Sequence, residues 1–208
     1  KKHQLMLMSK NFGFILVKPQ LGENIGACAR SLKNFGFSDL NIVSPKQSWP
    51  NHKAKVTSVG AYDLIKKAKI FKNTREAINK YTIVISLSAR KRDINKKHIS
   101  INQFLKIIQA KKNTKFGLMF GPEASGLTNE DLSLSNFILQ IPTSKKLKSM
   151  NLSHSLTLIC YEIFKLKNSK KFSKSSKNIK ISSKRQISSL LLHLKNLLEK
   201  KDFFIPIE

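Results

Sequence analysis

The chain has 208 residues, 40% of them hydrophobic, and a formal net charge of +27 from 39 Lys and Arg against 12 Asp and Glu. That length allows one ordinary domain plus an appendage, and the apolar residues cluster in blocks, which excludes general disorder. No apolar run approaches the roughly 18 to 20 residues that span a bilayer, and five scattered His with two Cys make neither a metal-ligand cluster nor a disulfide framework.

The N-terminal "KKHQLMLMSK" holds a four-residue apolar patch, too short for a signal peptide. Cys28 and Cys160 have no CxxC spacing and make no disulfide framework, which suits a reducing cytosol, so a cytoplasmic location is expected. "FGFILVKP" (12–19) is an apolar run closed by proline and reads as a buried strand. "GENIGACAR" (22–30) then opens a helix, with Asn24 placed to cap it and Gly36 placed at its far end. "DLNIVSP" (39–45) is a second strand. Residues 51–79 read as irregular, lysine-rich helix. "YTIVISLSA" (81–89) is a third strand, "INQFLKIIQA" (101–110) a helix and "KFGLMF" (115–120) a fourth strand. After it comes "GPEASGLTNEDL", in which Thr128 and Asp131 fit a capping box. "FILQIP" (137–142) is a fifth strand and "NLSHSLTLICYEIFKL" (151–166) a long amphipathic helix.

Alternating strands and helices predict an α/β fold with a mainly parallel sheet over residues 8–166. Residues 167–185 are a Ser- and Lys-rich linker that can bury little. Residues 186–208 form a helical extension in which Ile187, Leu190, Leu191, Leu194, Leu197 and Leu198 recur at helical spacing. That face needs a partner, either the domain itself or a second subunit.

The charge attracts polyanions, whatever share of it coding bias explains. In a parallel sheet, ligands sit at the carboxyl ends of strands. Four loops there stand out: "GENIGACAR", "LSARKR" (87–92), "GPEASGLTNED" (121–131) and "PTSKKLKSMNLS" (142–153). Singly, each has a plain structural explanation. Asn24 reads as a cap, Gly121 and Gly126 as turn residues, Arg90 and Arg92 as solvated charges, Ser149 and Asn151 as caps, and His154 as a surface or packing residue. No dinucleotide fingerprint, phosphate loop or nucleophile elbow is present.

In order, however, the blocks "NIGACAR", "FGPEASGLTNEDL" and "IPTSKKLKSMNLS" resemble the three signature blocks of the SpoU branch of the SPOUT RNA methyltransferases. The resemblance covers roughly residues 10–165. Within the branch it is most similar to the TrmJ group, tRNA ribose 2′-O-methyltransferases. The resemblance implies an α/β domain whose C-terminal part forms a deep trefoil knot. It also implies a homodimer, S-adenosylmethionine as cofactor and no metal or membrane. The substrate it implies is the ribose of cytidine or uridine at position 32 of the tRNA anticodon loop. It places the cofactor among Leu87, Ser88, Ala89, Gly121, Ile141, Ser149, Met150 and Leu152. It assigns Asn24, Arg30, Glu123, Ser149 and Asn151 to the polar active-site set, with Glu123 and Asn24 orienting Arg30. Arg30, Arg90 and Arg92 are expected to meet RNA. Two alternatives remain at this point: a 2′-O-methyltransferase acting on ribosomal RNA or another tRNA position, and a basic RNA-binding protein that has lost catalysis.

Overall fold

The structure, a computed structural model, describes residues 11–89, 95–111, 114–168, 184–201 and 203. Contacts divide it into one compact unit running to Lys170 and a second from Lys171 to Glu208.

The first unit is a sheet of seven strands, all pairs parallel, in the order β3-β2-β1-β6-β4-β7-β5. The strands are β1 (Phe12–Val17), β2 (Asp39–Val43), β3 (Lys69–Phe71), β4 (Ile83–Leu87), β5 (His98–Ile99), β6 (Phe116–Phe120) and β7 (Phe137–Leu139). Between them lie the helices α1 (Gly22–Asn34), α2 (His52–Thr57), α3 (Tyr62–Lys67), α4 (Thr74–Ile78), α5 (Ile101–Ala110), α6 (Asn129–Ser133) and α7 (Leu152–Asn168).

Both faces of the sheet are covered, which is why β1 and β6 are buried along their whole length. Side chains alternate between the faces with the period of two that a strand imposes. Phe12, Phe14, Leu16, Leu118 and Phe120 join Ile25, Cys28 and Leu32 of α1 and Leu156, Ile159 and Ile163 of α7. Ile15, Val17, Val84, Met119 and Ile138 face the other way, onto Ala77 of α4 and Leu132 of α6. Gly13 and Gly117 leave room beneath that second face for the Tyr81 ring, since a Cβ on Gly117 would lie 2.7 Å from Tyr81 Cδ2. The Tyr81 hydroxyl donates to Asp39 Oδ2 at 2.8 Å and accepts from Asn41 Nδ2 at 2.9 Å.

The five expected strands are all present, and two short ones are added. β3 interrupts the segment 51–79, expected to be helical throughout. That segment breaks into α2, α3 and α4, with Asn51 and Asn73 accepting from backbone N–H groups as caps. Helix propensity gave way there to pairing with β2, whose edge would otherwise carry unpaired backbone groups. The Thr128–Asp131 capping box is present, and a second joins Ser100 and Gln103 at the start of α5. Gly36 follows the end of α1 with φ 75°, the left-handed conformation that suits glycine.

In the second unit, α8 (Lys184–Glu199) is helical as its leucine spacing predicts. Most of the 167–185 linker lies outside the described residues. No described helix is long and apolar enough to cross a membrane.

Candidate active site

The site grows from the carboxyl ends of three adjacent strands, β6, β4 and β7. After Phe120 the chain turns through Gly121 to Leu127, and Gly126 N–H donates to Pro122 O at 2.9 Å. The loop doubles back tightly: a Cβ on Gly121 would stand 2.3 Å from Leu127 N, and Gly126 adopts φ 69°. Only glycine serves both positions without strain.

This loop forms one wall of a cleft. The end of β4 contributes Leu87, Ser88 and Ala89, and the segment after β7 contributes Ile141. The lead into α7 contributes Ser149, Met150 and Leu152, and the loop itself contributes Gly121 and Glu123. All eight residues expected at the cofactor therefore line one cleft. Leu139, Thr143, Lys148 and Ser155 line it too, and no sequence pattern marked them for that role. The lining combines apolar side chains with hydroxyls and strand-end backbone groups, a composition common to small-molecule sites.

Beside the cleft runs a chain of hydrogen bonds that joins three segments distant in sequence. Gln20 N–H donates to Glu123 Oε2 at 2.8 Å, and Ala124 N–H returns a bond to Gln20 Oε1 at 2.9 Å. Asn24 Nδ2 donates to Glu123 Oε1 at 2.6 Å. Asn151 Nδ2 donates to Asn24 Oδ1 at 3.1 Å. Asn151 Oδ1 in turn accepts from Ser153 N–H at 2.8 Å, capping α7. A backbone donor stands at each end, Gln20 N–H on Glu123 and Ser153 N–H on Asn151. The carboxylate can only accept, so the orientation of both amides between them is fixed.

Asn24 is thus not a helix cap. α1 starts two residues earlier, after Leu21, whose side chain makes no capping bond. Asn24 faces inward at 8% exposure and ties the first turn of α1 to the Glu123 loop and to α7. Ser31 and Thr157, with hydroxyl oxygens 2.6 Å apart, make a further tie between α1 and α7. Gln20 went unnoticed in the sequence, because a glutamine after Lys-Pro carries no pattern of its own. Only the approach of residues 20 and 124 reveals it.

Arg30 lies six residues beyond Asn24 on α1, about 9 Å along the axis, and is exposed. Among the described residues no hydrogen bond or ion pair engages its guanidinium, and the Glu123 carboxylate is directed to Gln20 and Asn24. Glu123 and Asn24 make no hydrogen bond to Arg30 among the described residues; they tie down the first turn of the helix that carries it. Ser149 is exposed at the cleft, and His154 is exposed on α7, which makes it a surface residue and not a packing one. Arg90 and Arg92 lie outside the described residues.

Burial, and secondarily the nearby Glu123 charge, pushes the Cys28 thiol up. It therefore stays protonated and serves as a small apolar residue. No cluster of His, Cys, Asp or Glu able to hold a metal occurs among the described residues.

Residues 11–161 match the model of the SpoU rRNA methylase family. The chain is 40% identical over 162 residues to the tRNA (cytidine-2′-O-)-methyltransferase TrmJ of Methanocaldococcus jannaschii, covering 76% of this chain and 69% of that one. Its fold superposes on TrmJ from Z. mobilis ZM4 with a TM-score of 0.70 at 32% identity, over 94% of this chain and 82% of the other. It also shares its fold with the SpoU methyltransferase AviRb from Streptomyces viridochromogenes, seen in complex with the cofactor AdoMet. There the TM-score is 0.62 at 19% identity, over 76% of this chain and 59% of that one. The chain spans 58% to 71% of the length of the curated relatives it matches.

Proposed function

Because this chain belongs to the SpoU rRNA methylase family, we propose that it is a tRNA 2′-O-ribose methyltransferase using S-adenosylmethionine. The cytidine or uridine at position 32 of the anticodon loop is its target in this reading. The single observation that carries the reading is the cleft. It gathers Leu87, Ser88, Ala89, Gly121, Ile141, Ser149, Met150 and Leu152 directly beside the Asn24–Glu123–Asn151 chain of hydrogen bonds.

These residues fit the cofactor. Leu87, Ile141 and Leu152 offer apolar surface to an adenine ring, while Ser88, Ser149 and strand-end backbone groups offer hydrogen bonds to ribose and amino-acid portions. S-adenosylmethionine, when bound, supplies a methyl group already activated on a sulfonium. The protein's own work lies with the acceptor. A ribose hydroxyl is a poor nucleophile until its proton leaves, so it has to be positioned and its developing charge stabilised. A guanidinium scarcely deprotonates in proteins, which makes Arg30 unsuited to act as a base. Arg30 instead holds the neighbouring phosphate through its planar fork and stabilises negative charge on the 2′-oxygen. The proton leaves to phosphate or to water. Glu123, Asn24 and Asn151 act as positioning residues: they lock α1, and Arg30 with it, to the loop and helix that border the cleft.

In this reading the segment from Leu139 to α7 belongs to a deep trefoil knot, the active unit is a homodimer and the compartment is the cytoplasm. Surface lysines, together with Arg90, Arg92 and the 167–185 segment, contact RNA phosphates, which gives affinity without reading sequence.

The test is transfer of labelled methyl from S-adenosylmethionine to separate pools of tRNA and ribosomal RNA, followed by mapping of the modified nucleotide. Incorporation into tRNA at position 32 is expected. Incorporation into ribosomal RNA alone overturns the substrate, and incorporation into neither pool overturns the activity.

A further inference from the structure

Between β2 and β3 the surface has a character that the candidate site does not use. Residues 45–72 hold seven Lys and one acid, Asp63. That acid is already neutralised, with Lys33 Nζ 2.6 Å from its Oδ1, and this pairing holds the Asp63 carboxyl below its ordinary value. Lys53 is likewise spent on Glu23, at 2.9 Å. Lys55 and Lys66 have no carboxylate partner among the described residues. Both lie instead over the ring of Tyr62, with Nζ 5.3 Å and 4.9 Å from its centroid. Tyr62 is 37% exposed, and Val56 and Val59 beside it in sequence are 57% and 62% exposed.

An exposed aromatic ring with two ammonium groups over it and no carboxylate to pair them among the described residues, with apolar side chains close by in the chain, matches what single-stranded nucleic acid requires once the long lysine side chains swing from the ring to phosphates. A base stacks on the ring while phosphates meet the cations. The patch also connects to the candidate site. Lys33 follows Arg30 by three residues and so shares its side of α1. Its partner Asp63 adjoins Tyr62. The Lys33–Asp63 pair therefore ties the helix that carries Arg30 to α3, the helix that carries Tyr62.

We propose that Tyr62, with Lys55 and Lys66, forms an accessory RNA-docking site that takes an unpaired nucleotide of the substrate tRNA outside the methylated loop. A second copy of the chain is disfavoured as occupant, because it would bring like charge against like charge. A membrane is disfavoured because α2 and α3 are six residues each, far shorter than helices that lie in a lipid interface. The proposal rests on the tRNA reading above, and its test separates the two.

Equilibrium binding of an unmodified tRNA transcript to the full chain is measured without cofactor, across a series of salt concentrations. Tyr62→Ala should weaken binding about tenfold or more, with the salt slope kept, and Tyr62→Phe should bind as the unaltered chain does. Lys55→Gln with Lys66→Gln should lower the salt slope by about 1.5. This pair carries the test on its own should Tyr62→Ala fail to fold. Affinity for S-adenosylmethionine should not change in any variant. Unchanged tRNA affinity in Tyr62→Ala together with an unchanged slope in the lysine pair overturns the proposal. So does a change in oligomeric mass at constant RNA affinity, which would make the patch a protein interface. A chain that binds tRNA through Tyr62 yet transfers no methyl group overturns the enzymatic reading and leaves this one standing.

Discussion

Replacing Asn24 by aspartate probes the hydrogen-bond chain at its centre. The substitution is nearly isosteric, so no cavity opens, but a carboxylate oxygen takes the place of an N–H donor 2.6 Å from Glu123 Oε1. A charge-assisted hydrogen bond worth about 1.5–3 kcal/mol is lost, and two carboxylates face each other at a site only 8% exposed. Like charges so close raise the pKa of one member of the pair above its unfolded value. The folded variant then binds more protons than the unfolded chain, so its stability falls as pH rises through that raised pKa. Toward pH 5 a shared proton restores an O–H···O bond and the deficit shrinks. At pH 8 a destabilisation of about 3 kcal/mol is expected, or about 6–12 °C in Tm for a unit of this size. Asn24→Ala serves as the comparison. It loses the bonds without adding charge, so its deficit should stay constant with pH. Thermal unfolding followed by circular dichroism between pH 5 and 8 reads both variants. An Asn24→Asp deficit that does not vary with pH, or that matches Asn24→Ala throughout, would refute the geometry given for Asn24 and Glu123.

Three further outcomes follow from particular contacts. Gly26→Ala should destabilise by roughly 1–3 kcal/mol, because its Cβ would stand 2.5 Å from the Ala54 carbonyl oxygen and force α1 and α2 apart; a urea titration with midpoint unchanged would contradict that contact. Ser86 is fully buried and its hydroxyl has no hydrogen-bond partner among the described residues. Ser86→Ala should therefore stabilise by about 1 kcal/mol, seen as a higher urea midpoint at constant slope. Arg30→Lys keeps the charge and loses the planar fork; methyl transfer should fall by about 100-fold or more while S-adenosylmethionine affinity stays level, and near-normal turnover would show the fork to be unimportant.

Much of this protein is legible from its residues in order. Apolar runs mark five of the strands, helical spacing marks α5, α7 and α8, and Gly36 marks the far end of α1. The Thr128–Asp131 box is a local device and so can be read locally. What eluded the sequence depends on neighbours. β3 and β5 are three and two residues long, too short for any period to register, and they exist because β2 and β7 offer edges to pair with. Asn24 reads as a cap because Asn often caps. Its actual role depends on residues 99 and 127 positions away. Gln20 has no local signature at all. The residues of the cofactor cleft were placed by family resemblance, since small residues after a strand look alike whether or not they line a cavity. Composition and periodicity determined the fold class, the basic character and the positions of the four loops, because these follow from local propensity and net charge. The tertiary structure alone decided that three of those loops enclose one cleft, that Glu123 holds α1 through Asn24 and is not spent on Arg30, and that two lysines lie over the Tyr62 ring. Each of these is a matter of distance between segments far apart in the chain, which local patterns do not encode.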